Sequence, residues 1–370
     1  MNQTKIKLTR GERSVLKIVR QNQPCTQAQL TSQLNITQQS ISRIVGTLSE
    51  QGLLEIGQLV SAGRRGKPSP ELSLTGGAVH AVGISIMADS VATGLIDFKG
   101  NLLGREVEMI PGMELPDVLC AIGHQLDKLL TKRNLSRAGV VGAGVAMTGY
   151  FMGRERRFNP PQPLKHWMDI DVETEISQFL ELPTWTENDG NAAAIGEAAL
   201  GVGRRYRDFA YLYFSAGFGG GVIIDGKLMP GRFGNSGEFA GILPYNIYAH
   251  PNLELLRHCI GKRGTELNSI YEMVTHFDPA WPGIDDWIAK VKDSLSLVAS
   301  ACSAVLDTQA IVLGGLMPQA LANRLIPEID FFSMPRWGIK RPVPDILAAE
   351  APGEATLFGA ASMPLEHIYF

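Results

Sequence analysis

Two stretches of the sequence contain residues that could do chemistry together. The run ENDGNAAAIGE, which begins at Glu187, places the carboxylate of Asp189 between a strand-like segment and a helix-like one. The run YLYFSAGFGGGVIIDGKLMPG, which begins at Tyr211, has five glycines between Gly217 and Gly226. A tight turn with bare backbone amides can cradle phosphate, and a carboxylate can take a proton from a hydroxyl. The pair suggests phosphoryl transfer to an alcohol, or the remnant of a site that once performed it.

The surrounding segments predict a mixed α/β architecture. Three strands are expected in HAVGISIMADSVATGLIDFKGNLLGREVEMI, followed by a helix in LPDVLCAIGHQLDKLLTKR and a strand in GVVGAGVAMTG. A helix at VETEISQFL, a strand at LPTWTEND and a helix at NAAAIGEAALGVG then position Asp189. A buried strand QAIVLGGLMP and a final helix TLFGAASMPL follow the glycine-rich hairpin. Strand hairpins that feed parallel strands and helices are typical of a two-lobed α/β protein. No internal repeat is evident.

Composition and charge narrow the class of protein. A chain of 370 residues suggests two or three domains, and no apolar run is long enough to span a bilayer or serve as a signal peptide. We therefore expect a cytoplasmic protein with no membrane partner. Residues 1–75 carry ten Lys/Arg against four Asp/Glu, whereas the remainder carries 24 against 33. A basic head on an acidic body suggests a nucleic-acid module joined to a domain of another kind. The widely spaced cysteines fit reduced thiols rather than disulfides: Cys25, Cys120, Cys259 and Cys302.

The basic head reads as three helices and a β-hairpin. Apolar spacing predicts helices in TRGERSVLKIVRQNQP, TQAQLTSQLN and TQQSISRIVGTLSEQG, with Thr26 and Thr37 as N-caps of the second and third. The apolar positions of the first helix are Val15, Leu16, Ile18 and Val19, and those of the second are Ala28, Leu30 and Leu34. The third helix is expected to bury Ile41, Ile44, Val45 and Leu48. LLEIGQLV and PELSL then flank the basic loop SAGRRGKPS. This is the pattern of a winged helix-turn-helix.

A winged helix-turn-helix would place the start of its third helix in the major groove of double-stranded DNA. Glutamine can bond adenine and arginine can bond guanine through two hydrogen bonds, and a basic hairpin tip suits phosphates or the minor groove. A three-helix domain that binds protein is the alternative, but charge, helix spacing and tip composition agree on DNA. The candidate DNA-binding residues are Thr37, Gln38, Gln39, Ser40, Ser42, Arg43, Arg64, Arg65 and Lys67.

The runs ENDGNAAAIGE, SAGFGGGVIIDGKLMPG and SGEFAG, in this order and spacing, resemble the ROK family of sugar kinases and sugar-responsive repressors. The winged head is similar to the repressor branch, since kinase members usually lack it. The resemblance implies an actin-like (RNase H-like) sugar-kinase fold with the sugar between two lobes. We expect a winged helix-turn-helix over 1–75, a first lobe over 76–190 and a second lobe over 191–370, with the C-terminal helix returning to the first lobe.

The resemblance also indicates damaged phosphate-binding loops. Family kinases have Asp-x-Gly-Gly-Thr in the first hairpin, where this chain has Ser85 followed by Met87, Ala88 and Asp89. An anionic, bulky turn would repel phosphate. The family's Gly-Thr-Gly in the second loop is Ser-Ala-Gly at 215–217, whereas the third element, Leu-Gly-Gly at 313–315, is kept. We therefore expect no kinase activity, no cofactor and a glycine loop retained for strand packing.

The resemblance assigns sugar contacts to Asn159, Asn188, Asp189 and Glu238, and makes Asp189 the position of the former catalytic base. Asn, Asp and Glu suit paired sugar hydroxyls. An Asp189 that only caps the following helix is the alternative. The family's zinc ligands fall on His258, Ile260, Thr265 and Gly241, so with His250 and Cys259 nearby we still expect no metal.

These observations predict a DNA-binding transcriptional regulator, a repressor that forms dimers or tetramers and responds to a sugar or sugar derivative. An active sugar kinase that also binds DNA is the alternative. A third possibility is that the acidic body responds to a protein partner, because the apolar stretch EIDFFSMPRWGIKR could bind one. More often such a stretch is a helix end and a buried loop, or part of a subunit interface.

Overall fold

The structure is a computed structural model that describes residues 7–60, 69–153, 157–332, 337–339, 341–351 and 355–370. Its helices are α1 Arg10–Gln21, α2 Gln27–Leu34, α3 Gln38–Glu50, α4 Leu115–Arg133, α5 Val172–Leu180, α6 Asp189–Leu200, α7 Leu253–Gly261, α8 Ile270–Thr275, α9 Ile284–Ala301, α10 Gln319–Leu325 and α11 Ala355–Tyr369. Its strands are β1 Cys25–Thr26, β2 Leu54–Val60, β3 Ser69–Leu74, β4 His80–Ile86, β5 Ser90–Asp97, β6 Leu102–Met109, β7 Val140–Met147, β8 Tyr150–Phe151, β9 Phe158–Asn159, β10 Thr184–Asn188, β11 Phe209–Phe214, β12 Phe218–Ile224, β13 Lys227–Leu228, β14 Ala310–Gly315 and β15 Asp345–Ala348.

The chain divides into two compact units. The first contains Met1–Val145, Val172–Thr186 and Ala361–Phe370, and the second contains Ala146–Asp171 and Glu187–Ala360. The division into a head and two lobes at residues 75 and 190 remains a prediction. None of the helices in the described part of the chain is long and apolar enough to cross a membrane.

The three helices of the head begin at threonine caps. Thr26 and Thr37 cap α2 and α3 through their side chains, which confirms both predicted caps, and Thr9 caps α1. Thr9 and Thr26 form reciprocal capping boxes with Glu12 and Gln29. Each helix start is thus determined by residues only three positions apart, which is why the sequence pattern located them.

The three helices of the head bury fewer of their apolar side chains than the sequence pattern suggests. The buried side chains of its three helices are Val15, Leu16, Val19, Leu30, Ile41, Val45 and Leu48. Ile44, which was expected to be buried, is half-buried, as are the apolar positions Ile18 and Leu34, and Ala28 is exposed. Each helix buries only the stripe that faces the other two, and these four positions lie at or beyond the edge of that stripe.

A small sheet completes the head. β2 and β3 pair in antiparallel fashion as the predicted hairpin, and β1 adds a short third strand that pairs Cys25 with Leu72. Burial raises the pKa of the Cys25 thiol to about 11, so it remains protonated at neutral pH. The hairpin tip with Arg64, Arg65 and Lys67 lies outside the described residues.

The head is attached to the rest of the first unit by charged and aromatic contacts. Arg20 of α1 forms an ion pair with Glu366 of α11 at 2.6 Å, and its guanidinium lies 4.5 Å from the ring centroid of Phe370. Arg20 is almost completely covered, whereas Glu366 is partly exposed. On the hairpin, Glu55 forms an ion pair with Lys99 of the β5–β6 turn at 3.7 Å. These contacts hold two faces of the head.

Two five-stranded sheets have the same strand order. One runs β10-β7-β4-β5-β6 and the other runs β13-β12-β11-β14-β15. In each sheet the strand that comes first in the chain lies in the centre. The second and third strands in chain order lie on one side of it, and the fourth and fifth lie on the other. β4, β5 and β6 form an antiparallel meander, and β11 is parallel to β14. The repeat was not detected in the sequence. The structure confirms the α/β class with an N-terminal winged helix-turn-helix.

Candidate functional sites

The first candidate site is built in the second unit around the start of α6. Asn188 is the N-cap of this helix: its Oδ1 accepts hydrogen bonds from the amides of Gly190 at 2.8 Å and Asn191 at 3.2 Å. Its Nδ2 donates to the carbonyl of Gly149 at 2.6 Å. Asn188 therefore performs the capping role, which leaves Asp189 at the first helical position.

The carboxyl of Asp189 is held by two hydrogen bonds. Its Oδ2 accepts from the hydroxyl of Thr148 at 3.1 Å and its Oδ1 accepts from the amide of Gly190 at 2.9 Å. Burial raises its pKa to about 7; the two hydrogen bonds oppose this rise, and the charge of Glu238 adds to it. Near neutral pH the group can therefore either accept a proton or donate one.

Glu238 supplies a second carboxyl to the same region. Its side chain is exposed, yet the surrounding protein desolvates the carboxyl enough to raise its pKa. Its charge acts on Asp189, so the two acidic groups lie close enough to interact. The backbone amide of Glu238 donates to the carbonyl of Asn235 at 3.3 Å, which ties the residue to its loop.

Asn159 lies on a two-stranded ribbon formed by β8 and β9. Tyr150 pairs with Asn159 and Phe151 pairs with Phe158. The amide nitrogen of Asn159 donates to the hydroxyl of Tyr150, whose side chain is 46% exposed. The rings of Phe151 and Phe158 are buried with centroids 4.4 Å apart. The ribbon thus has an aromatic, buried face and a polar face.

The ribbon is joined to the other site residues by backbone clamps. The side-chain amide of Asn235 accepts from the amide of Phe151 at 2.8 Å and donates to its carbonyl at 2.9 Å. Asn188 holds Gly149 at the neighbouring position. Asn159, Asn188, Asp189 and Glu238 therefore all belong to one connected part of the second unit.

Sequence reasoning missed Thr148, Tyr150 and Asn235, which orient these residues. Thr148 lies at the end of the strand predicted at GVVGAGVAMTG, Tyr150 directly follows that strand, and Asn235 precedes the SGE run. Polar residues at a strand end or beside a functional motif are the signal that could have identified them.

The glycines of the β11–β12 hairpin allow close backbone packing. A Cβ at Gly190 would lie 2.8 Å from the carbonyl oxygen of Gly220, and a Cβ at Gly237 would lie 2.6 Å from the same atom. Three segments converge on Gly220 because none of them has a side chain there. This supports the expectation that the loop serves strand packing.

Two amides of this loop and the amide at the end of β14 already have partners within the protein. The amide of Gly217 donates to the hydroxyl of Ser215 at 3.3 Å, and the amide of Ser215 donates to the carbonyl of Gly217 at 3.0 Å. The amide of Gly315 donates to the hydroxyl of Tyr211 at 2.8 Å. Burial raises the pKa of Tyr211, so that hydroxyl stays neutral.

The residues expected at the family's zinc position make other contacts. The ring of His250 stacks on Tyr245, with centroids 3.9 Å apart, and its Nε2 lies 3.0 Å from the carbonyl of Leu243. Burial raises the pKa of the Cys259 thiol. Over the described ranges, no three His, Cys, Asp or Glu side chains lie together as metal ligands would. The absence of metal remains a prediction.

The second candidate site is the start of α3 in the head. Thr37 and Ser40 bond each other, because the Ser40 amide donates to the Thr37 hydroxyl at 3.3 Å. The other predicted residues of this surface, Gln38, Gln39, Ser42 and Arg43, are exposed. The surface is therefore polar and open to solvent, as a DNA-reading helix must be.

Comparisons with known proteins agree with this architecture. A ROK family model matches residues 81–366, and a MarR family model matches residues 6–65. The xylose repressor of Bacillus subtilis is 29% identical over 232 residues, which cover 62% of this chain and 59% of the repressor. The glucokinase of Streptomyces coelicolor is 30% identical over 163 residues, which cover 44% of this chain and 49% of the enzyme. The chain thus matches about half to three fifths of these relatives' lengths.

The fold has a full-length counterpart among solved structures. The crystal structure of a ROK family transcriptional regulator, a homologue of the E. coli MLC protein, aligns with a TM-score of 0.68 at 18% identity and covers 96% of this chain and 95% of that one. At this identity the likeness shows the fold alone. Because the ROK family model extends over most of the chain, the protein belongs to the ROK family.

Proposed function

We propose that the protein is a sugar-responsive transcriptional repressor. The observation that carries the proposal is the presence of a winged helix-turn-helix with an exposed polar recognition helix on a ROK body. The xylose repressor and the MLC homologue named above are similar to this chain, and both are themselves described as regulators. The repressor acts in the cytoplasm on a double-stranded operator.

The effector is a sugar or sugar derivative that binds at Asn159, Asn188, Asp189 and Glu238. Two carboxyls and two amides near one another supply the acceptors and donors that pairs of sugar hydroxyls require. The Oδ1 of Asn159 and the carboxyl of Glu238 accept no hydrogen bond from any described residue. Asn188 is committed mainly to capping α6, so its contribution to the sugar is a single donor.

The phosphate-binding function is lost in this proposal. Phosphate loops work through free backbone amides, whereas the amides of Ser215, Gly217 and Gly315 donate to oxygens of the protein itself. Opening these bonds to receive a nucleotide would leave the Tyr211 hydroxyl buried without a partner. The body therefore senses the sugar without phosphorylating it.

Control of DNA binding requires only a small coupling. A repressor of this type acts as a homo-oligomer, since two heads must match the spacing of two operator half-sites. The sugar lowers operator affinity by favouring a conformation in which that spacing is wrong. A coupling free energy of about 1.4 kcal/mol suffices for a tenfold change in affinity.

The proposal is tested by fluorescence anisotropy on duplex DNA from upstream of the protein's own gene, with a panel of sugars and phosphosugars. One sugar should raise the dissociation constant at least tenfold in the wild type. Asp189→Asn should abolish this effect and leave sugar-free DNA binding within twofold. The exposed Asp293 provides a matched control, because Asp293→Asn should keep the response. Absence of DNA binding at modest salt, or a sugar response that survives in Asp189→Asn, contradicts the proposal.

An active sugar kinase is the second candidate, and one observation favours it. A carboxyl with a pKa of about 7 suits a general base near neutral pH, and Asp189 has this pKa. The measurement is ADP release from Mg-ATP in the presence of each sugar. Sugar-dependent turnover that disappears in Asp189→Asn supports the kinase, whereas no turnover with any sugar removes it.

A further inference from the structure

The exposed residues of α3 fall on two different faces of the helix. Ile41, Val45 and Leu48 form the buried face. At about 100° per residue, Gln39 and Arg43 lie on the side opposite this core, about 40° apart. Gln38 and Ser42 lie on the flank beside α2, about a quarter turn away. These two pairs therefore have different surroundings, although the sequence pattern predicted DNA contacts for all four residues.

The flanking pair is held by α2. The Oε1 of Gln27 accepts hydrogen bonds from the hydroxyl of Ser42 at 3.0 Å and from the side-chain amide of Gln38 at 3.4 Å. The hydroxyl of Thr31 shares its one hydrogen between the backbone carbonyl of Gln27 at 2.9 Å and the Oε1 of Gln38 at 3.3 Å. Both hydrogen-bonding ends of Gln38 are therefore engaged within the head. A base contact by Gln38 would have to replace these bonds.

The opposite face is free for DNA. Gln39 and Arg43 are exposed, and neither has a side-chain hydrogen bond with any residue that the structure describes. One turn further on, Gly46 has no atom within 4 Å of where a Cβ would stand, so no neighbour obstructs this face. Glu50 lies on the same face near the end of the helix and would repel phosphates. Only the first half of the face therefore suits the groove.

We propose that Gln39 and Arg43 are the residues of α3 that read bases, and that Gln27 is a positioning residue that keeps Gln38 and Ser42 away from them. Glutamine reads adenine and arginine reads guanine through paired hydrogen bonds in the major groove. Four residues of helix advance about 6 Å, which equals about two base-pair steps of about 3.4 Å. Each operator half-site thus carries an adenine and a guanine about two base pairs apart. This inference rests on the proposed function, because it requires that the protein binds an operator.

The experiment selects preferred duplexes from a randomised library with the full-length protein and sequences them. The wild type should yield a motif with the adenine and guanine at this separation. Gln39→Ala should lose the preference at the adenine alone, by about 5- to 150-fold, and Arg43→Lys should lose it at the guanine alone by a similar factor. Arg43→Lys keeps the positive charge, so a change in preference reports base contact rather than phosphate attraction.

Positioning by Gln27 has its own readout. Gln27→Ala should alter the base preference beside the adenine position, since Gln38 and Ser42 are then released. Gln33→Ala, an exposed glutamine of α2, should leave the motif as in the wild type. Thermal unfolding of each variant verifies that the fold is intact.

The outcomes separate this inference from the proposed function. If the wild type selects no sequence, both are overturned. If it selects a motif that Gln39→Ala and Arg43→Lys leave intact, or that Gln38→Ala removes, the operator function stands and the assignment of base readers is wrong. If Gln27→Ala leaves the motif unchanged, the positioning role is wrong.

Discussion

Replacing Asp189 with asparagine should stabilise the protein at pH 8 and should have almost no effect on stability near pH 4. The pKa of Asp189 is about 7 in the folded protein, against 3.8 for an unperturbed carboxyl. The folded state therefore binds the proton more tightly than the unfolded state does. In the wild type this contribution to stability is complete below about pH 4 and is lost as the pH rises to about 7. Asparagine carries no charge to bury and avoids that loss.

The structure sets the size of the effect. At 1.36 kcal/mol per pH unit, a pKa of about 7 instead of 3.8 gives a ceiling of about 4 kcal/mol. The side chain of Asp189 is only half-buried, and solvent relaxation lowers this figure, so we expect a gain of about 1–3 kcal/mol at pH 8. Asparagine can keep both hydrogen bonds, because its Oδ1 can accept from Gly190 and its Nδ2 can donate to the hydroxyl of Thr148.

The assay is urea unfolding of the wild type, Asp189→Asn and the control Asp293→Asn at several values between pH 4.5 and pH 8.5. The difference in unfolding free energy between Asp189→Asn and the wild type should grow with pH and level off above about pH 8. Asp293→Asn should show no such growth. A difference that is constant across the range, or a variant that is less stable than the wild type at pH 8, would refute the reasoning.

Three further predictions concern the same unit. If the ionised form of Asp189 accepts hydrogen bonds from the effector, the sugar affinity should rise between pH 6 and pH 8 in calorimetric titrations, and this rise should vanish in Asp189→Asn. Glu197→Gln should lower the unfolding free energy by about 1–3 kcal/mol in urea melts, because the new amide would face the backbone N–H of Ala351, which now donates to the carboxylate at 2.9 Å. Tyr150→Phe should weaken sugar binding about two- to tenfold in the anisotropy assay and leave sugar-free DNA binding unchanged, because it removes the hydroxyl that orients Asn159.

The sequence predicted the features that depend on neighbours along the chain. The caps of α2 and α3 follow from Thr26 and Thr37, and the predicted helix LPDVLCAIGHQLDKLLTKR has the same bounds as α4. The sequence offered Asp189 as a possible cap of α6, but the structure gives this role to Asn188. Asparagine and aspartate cap helices about equally well, so residue type alone does not separate the two. Only the contacts of the two side chains show that Asn188 caps the helix and that the carboxyl of Asp189 is available for another role.

The features that escaped prediction depend on residues far apart in the chain. Thr148 bonds Asp189 across 41 positions and Asn235 bonds Phe151 across 84, so no local pattern reveals either contact. The equal strand order of the two sheets was also hidden, because it lies in the pairing of strands and not in the identity of their residues. The partition of the α3 surface by Gln27 depends likewise on how α2 packs beside α3.

The ion pair between Arg20 and Glu366 joins residues that are 346 positions apart. At about 5–20 residues per second, the ribosome makes Glu366 roughly 20 to 70 seconds after Arg20. The buried core residues of the head all lie before residue 75, so they are made before this interval ends, whereas Arg20 still lacks Glu366. The contacts within the head are therefore available before α11 exists, and the attachment of the head through Glu366 can form only when the chain is almost complete.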